Sequence, residues 1–330
     1  MRGIVRFRSA QWTAALLLAT GTAGSAAFGP EFVKSVLPSV GETWWFLGLS
    51  ILAISITAMG LWQRRKAVNL DTVGIVVAAI DPGDEPGGQA LYANARRYSQ
   101  QAFVAPVAPF MERLPVERAA AAARVDSLGD RVNELISFAE QLAPSASRLN
   151  LVLVMRNAAA FRLGMKLGKQ HRKPIVVHHS DANHTFSASR LTDFKDCTLL
   201  DELDSSSVMV DGGAKDRACL LLNLQGRGDS TLDRARQVCA AQGIGHLVEI
   251  RYDQDRLPSD QATFEGVAQY TLMAWRNHRP SSIIGKSIIM VDGPAVIALV
   301  LGAQLNIHPD GPWIPYEFDK VTASYSEFAP

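Results

Sequence analysis

Eight residues in three short turns have the side chains or backbone that binding chemistry calls for: Arg156 and Asn157, then Gln225, Gly226, Arg227 and Ser230, then Gly293 and Pro294. Arg156 offers a guanidinium to a phosphate through charge-assisted hydrogen bonds, and Asn157 offers an amide to the edge of a base. Gln225 to Ser230 supplies free backbone N–H groups, the Arg227 guanidinium and the Ser230 hydroxyl at a helix start, where anions are favoured. Gly293 allows close approach to the backbone, and Pro294 suits the first position of a helix. Taken singly, each residue reads equally well as part of an ordinary surface turn.

The turns sit in a larger pattern. Ile288 to Val291 is a short apolar run typical of a buried parallel strand, and Asp292-Gly293-Pro294 breaks it. An Ala- and Leu-rich helix follows from Ala295, with Leu301-Gly302 near its end. Earlier, Leu149 to Met155 is a buried strand, Arg156-Asn157 its turn, and Ala158 to His171 a helix containing Leu163-Gly164. Further strands are expected at Thr72 to Ile80, Val104 to Phe110, Pro174 to His179, Arg217 to Leu224, His246 to Tyr252 and Trp313 to Phe318. Asp81 to Gly88 reads as a loop and Gln89 to Phe103 as a helix. Glu117 to Arg124 reads as a short helix or a solvated connection. Asp126 is expected to cap a helix to Leu142, and Ser259 one to His278. Asp181 to Asp204 is polar, with one or two short edge strands.

Each half then runs strand, Gly-rich loop, helix, strand, long helix, strand, tight turn, Ala-rich helix, strand. The repeat lies in the order of elements, not in identity. Alternation of this kind builds a mostly parallel sheet covered on both faces. The fold class is α/β, with two Rossmann-like lobes at 70–204 and 205–330. Ligands of such sheets bind outside the carboxyl ends of the strands. Arg156-Asn157 and Gly293-Pro294 occupy matching places there, which favours binding for the eight residues as a set.

Other chemistry is missing. Gly226-Arg227-Gly228 does not extend to GxGxxG, and no GxxxxGK[ST] or GxSxG occurs. Asp253, Asp255 and Asp260 are too loosely spaced for magnesium. Asp81 with Asp84, and Glu202 with Asp204, read as solvated loop charges. His178, His179 and His184 lack a Cys or acidic partner at ligand spacing, so no metal is expected. Cys197, Cys219 and Cys239 are too few for a disulfide framework and read as buried thiols in a reducing compartment. A net charge of +1 over 330 residues gives no reason to expect a DNA-binding surface.

The N-terminal 66 residues differ from the rest. Arg2, Arg6 and Arg8 precede the apolar stretch 12–28, and 44–62, WWFLGLSILAISITAMGLW, is uncharged, of spanning length and flanked by tryptophans. Arg64-Arg65-Lys66 follows at once. The loop between them holds only Lys34, set against Glu31 and Glu42. A two-helix transmembrane hairpin is therefore expected, with both ends in the cytoplasm by the positive-inside rule. A signal-like segment followed by one span is the alternative.

A hydrophobic strand ending in Gly-Pro, an apolar helix with Leu-Gly and a last strand WIPYEF, here Val291 to Gln304 and Trp313 to Phe318, is similar to the C-terminal half of SAVED domains. The coarse resemblance covers Leu70 to Pro330, and the hairpin looks like that of two-transmembrane SAVED effectors of CBASS anti-phage systems. The resemblance implies two CARF-like lobes that bind a cyclic oligonucleotide, with no catalytic residue and no cofactor. It implies a receptor in the bacterial inner membrane, its soluble domain in the cytoplasm. Binding of a cyclic di- or trinucleotide would drive homo-oligomer assembly and membrane disruption, leading to abortive infection. A membrane-anchored enzyme acting on a nucleotide or nucleotide sugar is the alternative from another class.

Overall fold

The computed structural model describes residues 73–103, 105–106, 109–142, 146–180, 186–192, 194, 201–254, 257–281, 283, 287–305, 312–319 and 322–330. The expected spans 12–28 and 44–62 lie outside these residues. Among the described residues no helix is long and apolar enough to cross a membrane. The chain divides into two compact units, and the second, Val73–Gln101 with Pro106–Pro330, holds nearly all of the described residues.

The elements follow the expected alternation. In the first half come β1 (Val73–Ile80), a 3-10 turn at Pro82–Asp84, α1 (Glu85–Ala102), β2 (Ala105–Pro106), β3 (Phe110–Arg113), α2 (Arg118–Leu142), β4 (Leu149–Val154), α3 (Asn157–Leu167), β5 (Ile175–Ser180) and β6 (Phe186–Arg190). The second half has β7 (Leu203–Met209), β8 (Ala214–Asn223), α4 (Asp229–Ala241), β9 (Ile244–Tyr252), α5 (Gln261–His278), β10 (Ser287–Asp292), α6 (Ala295–Leu305), β11 (Trp313–Asp319) and β12 (Ser324–Glu327). Two six-stranded sheets result, in the orders β2-β1-β4-β5-β6, with β3 also pairing with β1, and β12-β11-β10-β8-β9-β7. The central pairs β1–β4, β4–β5, β8–β9, β8–β10 and β10–β11 are parallel, and β6, β7 and β12 add antiparallel edges. Every residue of β1, β4 and β10 is buried, as continuous apolar runs in a sheet covered on both faces should be.

The two halves share one unit at one interval. The separation of Leu149 from Ser287 recurs between Asn157 and Ala295, between Ile175 and Trp313, and between Phe186 and Ser324. It recurs again between Gly164 and Gly302, where α3 and α6 cross. A Cβ on Gly164 would lie 2.0 Å from the Leu299 carbonyl oxygen, and one on Gly302 would lie 2.0 Å from that of Phe161. The contact is reciprocal, and only glycine admits it. All of α6 except Gln304 is buried, which explains a helix apolar all round.

Several local expectations change. Arg118–Leu142 is one helix, and Asp126 lies inside it, ion-paired with Arg162 rather than capping. Asp260, not Ser259, caps α5, its carboxylate accepting from the Thr263 N–H at 2.9 Å. The stretch Asp81 to Gly88 is mostly a 3-10 turn and the first turn of α1. Within the expected strand at Val104 to Phe110 the described strand residues are β2 and the first residue of β3, which continues to Arg113. β12 comes from a tail that offered no apolar run.

Candidate functional site

The carboxyl end of β1 leads into Asp81, and that of β4 into Arg156. Asp81 accepts from the Gly83 N–H at 2.9 Å with one oxygen and pairs with Arg156 at 3.3 Å with the other. It is therefore a bound acid rather than the solvated loop charge expected for it. Arg156 is the N-cap residue of α3 but gives it no side-chain cap bond. The open helix start is met from the other half of the molecule. Glu317 on β11 accepts from the Ala158 N–H at 2.9 Å.

Asn157 ties the two halves directly. Its side-chain amide donates to the carbonyl oxygens of Val291, at 2.8 Å, and Gly293, at 3.1 Å. Those carbonyls flank Asp292 in the β10–α6 turn. Gly293 lies over Leu224, whose Cδ1 would be 3.0 Å from an added Cβ, so a side chain there would have to push the leucine aside. Pro294 follows, half-buried, its carbonyl accepting from the Ile297 N–H at 3.0 Å.

The β8–α4 loop completes the line. Gly226 and Gly228 take positive φ values of 63° and 60°, which let the chain turn sharply into α4. Asn223, at the end of β8, is buried and donates to the Gly228 carbonyl at 2.9 Å and to Glu249 at 3.0 Å. Arg227 donates to the Gln225 side chain at 2.9 Å and pairs with Asp292 at 3.3 Å. The Ser230 hydroxyl donates to the Arg227 carbonyl at 2.9 Å. Gln225, Gly226, Arg227 and Ser230 thus form one loop. Arg227 joins it to Asp292-Gly293-Pro294, and Asn157 joins that turn to Arg156.

Glu317 and Arg118 were not singled out in the sequence, Asp292 was read only as part of its turn, and Asp81 was read as a solvated loop charge. Asp292 stands next to Gly293 and Asp81 directly follows a strand, so position at a strand end was their signal. Glu317 had a plainer one, an acid inside the otherwise apolar WIPYEF. Burial pushes the Glu317 carboxyl up to about 7, against the pull of the Ala158 N–H, Arg156 and Arg118. Burial also raises Asp292, and Arg227 and Arg234 oppose it. A cleft of about 220 Å³, open mouth included, runs between the halves; Asp81, Arg118 and Arg156 line it from one side, Glu317 and Phe328 from the other. The groups gathered here are hydrogen-bond donors and ion-pairing side chains at the ends of parallel strands, where α/β sheets hold their ligands.

No family model matches the chain, and no curated protein matches it. Among solved structures it is similar to the Acinetobacter baumannii Cap4 SAVED/CARF-domain containing receptor with the cyclic trinucleotide 2'3'3'-cAAA, at a TM-score of 0.52 and 14% identity over 84% of this chain and 55% of that one. The same receptor with 3'3'3'-cAAA gives a TM-score of 0.49 at 14% identity, covering 84% and 55%. The Moraxella osloensis Cap4 SAVED/CARF-domain containing receptor gives 0.45 at 13% identity, covering 84% and 53%. The chain spans about half the length of these receptors. The fold, two parallel-rich sheets in tandem, is thus similar to that of a SAVED/CARF-domain containing receptor.

Proposed function

We propose that the chain is a receptor for a cyclic di- or trinucleotide and acts as a membrane effector of anti-phage defence. The observation that carries the reading is the contact of Asn157 with the Val291 and Gly293 carbonyls. It brings two matching strand-end turns together, with Arg156 on one side and Arg227 on the other, in a fold similar to that of a receptor solved with a cyclic trinucleotide. A ligand with several phosphodiesters needs such spaced cations, and backbone donors at helix starts add to them. Binding alone suffices for this role, with no cofactor and no reaction.

The full-length protein is to be titrated with a panel of cyclic di- and trinucleotides that includes 2'3'3'-cAAA and 3'3'3'-cAAA. Binding of one member, weakened in Arg156→Ala and Arg227→Ala, is the expected result. No binding by any member overturns the reading.

The hairpin at 1–66 supplies the effector in this proposal. Its uncharged spans form no polar path as a monomer, so harm to the inner membrane requires assembly of several chains. Ligand drives assembly only by binding the assembled state more tightly. A chain lacking Met1 to Trp62 should keep ligand binding and lose toxicity. A truncated chain that still kills cells when ligand is made would place the toxic activity in the domain from Val73 onward. A reporter fused after Pro330 should work only as a cytoplasmic one.

A further inference from the structure

Among the described residues, Glu317 is the acid that lines the cleft from the second half. Its residue is 9% exposed, yet it lines an open space beside two arginines. One carboxyl oxygen, Oε2, accepts from Ala158 at the start of α3. The charged groups that face it are Arg156 and Arg118, which attract the ionised form, and Asp81, which repels it. On its own strand Asp319 lies two residues on, along the same face. From β12, Ser326 stands opposite, its hydroxyl donating to the Glu317 carbonyl at 3.5 Å. Glu327, next along β12, pairs with Tyr316 instead.

The charges decide what the cleft accepts. With Asp81 and Glu317 both ionised, two acids balance Arg118 and Arg156, and an anion gains nothing by entering. With Glu317 neutral, the cleft carries one net positive charge. The space between these groups is small and partly open to solvent, so only one group of a ligand, held at its mouth, could meet them.

We propose that Glu317 is a proton-linked donor in the ligand site: as a phosphodiester enters beside Arg156, the carboxyl takes up one proton from solvent, keeps its bond to Ala158 through one oxygen and donates to the phosphate through the other. A protonated carboxyl has one O–H donor and still accepts, so both contacts are served at once. The inference rests on the reading of the chain as a cyclic-oligonucleotide receptor. It adds a property of that site: affinity tied to pH through one named group. Burial already holds the carboxyl near neutrality, at about 7, so the proton is taken up in the range where cells live.

The test is a titration of the full-length protein with 2'3'3'-cAAA, or with whichever member of the panel binds, at pH 6, 7 and 8 in two buffers of different ionisation enthalpy. The wild type should bind about tenfold more tightly at pH 6 than at pH 8, with close to one proton taken up at pH 8. Glu317→Gln keeps an acceptor for Ala158 and a fixed donor for the phosphate. It should bind at every pH about as tightly as the wild type at pH 6, with no proton uptake. Glu317→Ala should bind weakly throughout. A wild-type affinity independent of pH, or the same slope in Glu317→Gln, overturns the inference and leaves the receptor reading standing. Absence of binding by any panel member at both pH 6 and pH 8 removes the receptor reading and this inference together. A role for Glu317 as a helix cap alone would change stability in these variants but not the pH slope of binding.

Discussion

The unit from Leu149 to Arg190 and the unit from Ser287 to Glu327 share one backbone plan and differ in chemistry. Strand, helix, strand and antiparallel edge recur at the same interval, and each central helix carries a glycine pressed against the carbonyl of the other. The turns before those helices are opposites. The first presents Arg156 and the donating amide of Asn157. The second presents the accepting carbonyls of Val291 and Gly293, and its only charge, Asp292, is paired with Arg227. On the following strands, Glu317 caps the first helix, while the matching position in β5 is His179. Duplicated geometry therefore places two helix starts at one locus, and side chains then make one the donor and the other the acceptor. The two helix starts are thus unlike although their backbones match.

The comparison can be broken most severely at the crossing. Gly164→Ala or Gly302→Ala should each cost about 3 kcal/mol or more, since backbone rather than a side chain must yield. The double variant should cost less than the two together, because helices already moved apart have room for the second methyl. Denaturant midpoints measure this, and an unchanged midpoint in either single variant would show that the crossing is looser than described.

Glu317→Gln comes next, now without ligand. The folded pKa is raised to about 7 from an ordinary 4.5. The stability tied to the bound proton is therefore fully present below 4.5 and lost as pH rises through 7. Between pH 5 and pH 8 the wild type should lose on the order of 2–3 kcal/mol relative to Glu317→Gln. Parallel thermal-unfolding profiles for the two proteins would contradict it.

Asn157→Ala removes two hydrogen bonds and leaves two carbonyls short of a donor, so a cost of about 1–2 kcal/mol is expected. Full stability combined with lost ligand binding would instead mean that the amide serves the ligand and not the turn. The smallest effect on stability belongs to Arg227→Ala. The arginine side of its ion pair with the buried Asp292 is 41% exposed and screened by solvent, and the loss at pH 7 should be about 1 kcal/mol. Burial raises the Asp292 carboxyl, so even this contribution should vanish in mild acid as that group takes up its proton. Ligand affinity, by contrast, should fall roughly ten- to hundredfold.

Strands were legible because β1, β4, β10 and the second half of β8 are mostly apolar runs with few rivals for that pattern. The equivalence of Leu163-Gly164 and Leu301-Gly302 was visible too, but its reason was not, since a reciprocal crossing needs both helices in place. Helix starts were less legible. Asp126 and Asp260 are both acids before apolar periodicity, and only tertiary pairing with Arg162 assigns the first to a helix interior. Arg156, Asn157, Arg227 and Gly293 could be proposed from turn chemistry. The partners that orient them, Asp81, Asp292 and Glu317, are distant in sequence from the groups they bind or look like loop charges, so local reasoning passes over them.

The crossing of α3 and α6 also sets the order in which the chain can become a domain. Asn157–Leu167 emerges from the ribosome long before Ala295–Leu305, which packs closely against it. Until α6 arrives, α3 has α2 to pack on but its other face stays uncovered, and the closure that covers it spans about half of the domain. A contact so distant along the chain slows folding and leaves apolar surface exposed in the interval. The folding of each half is therefore coupled to the other through this crossing. The domain becomes stable as a whole, late in synthesis, and a chain stopped between the two helices would meet chaperones and proteases rather than a ligand.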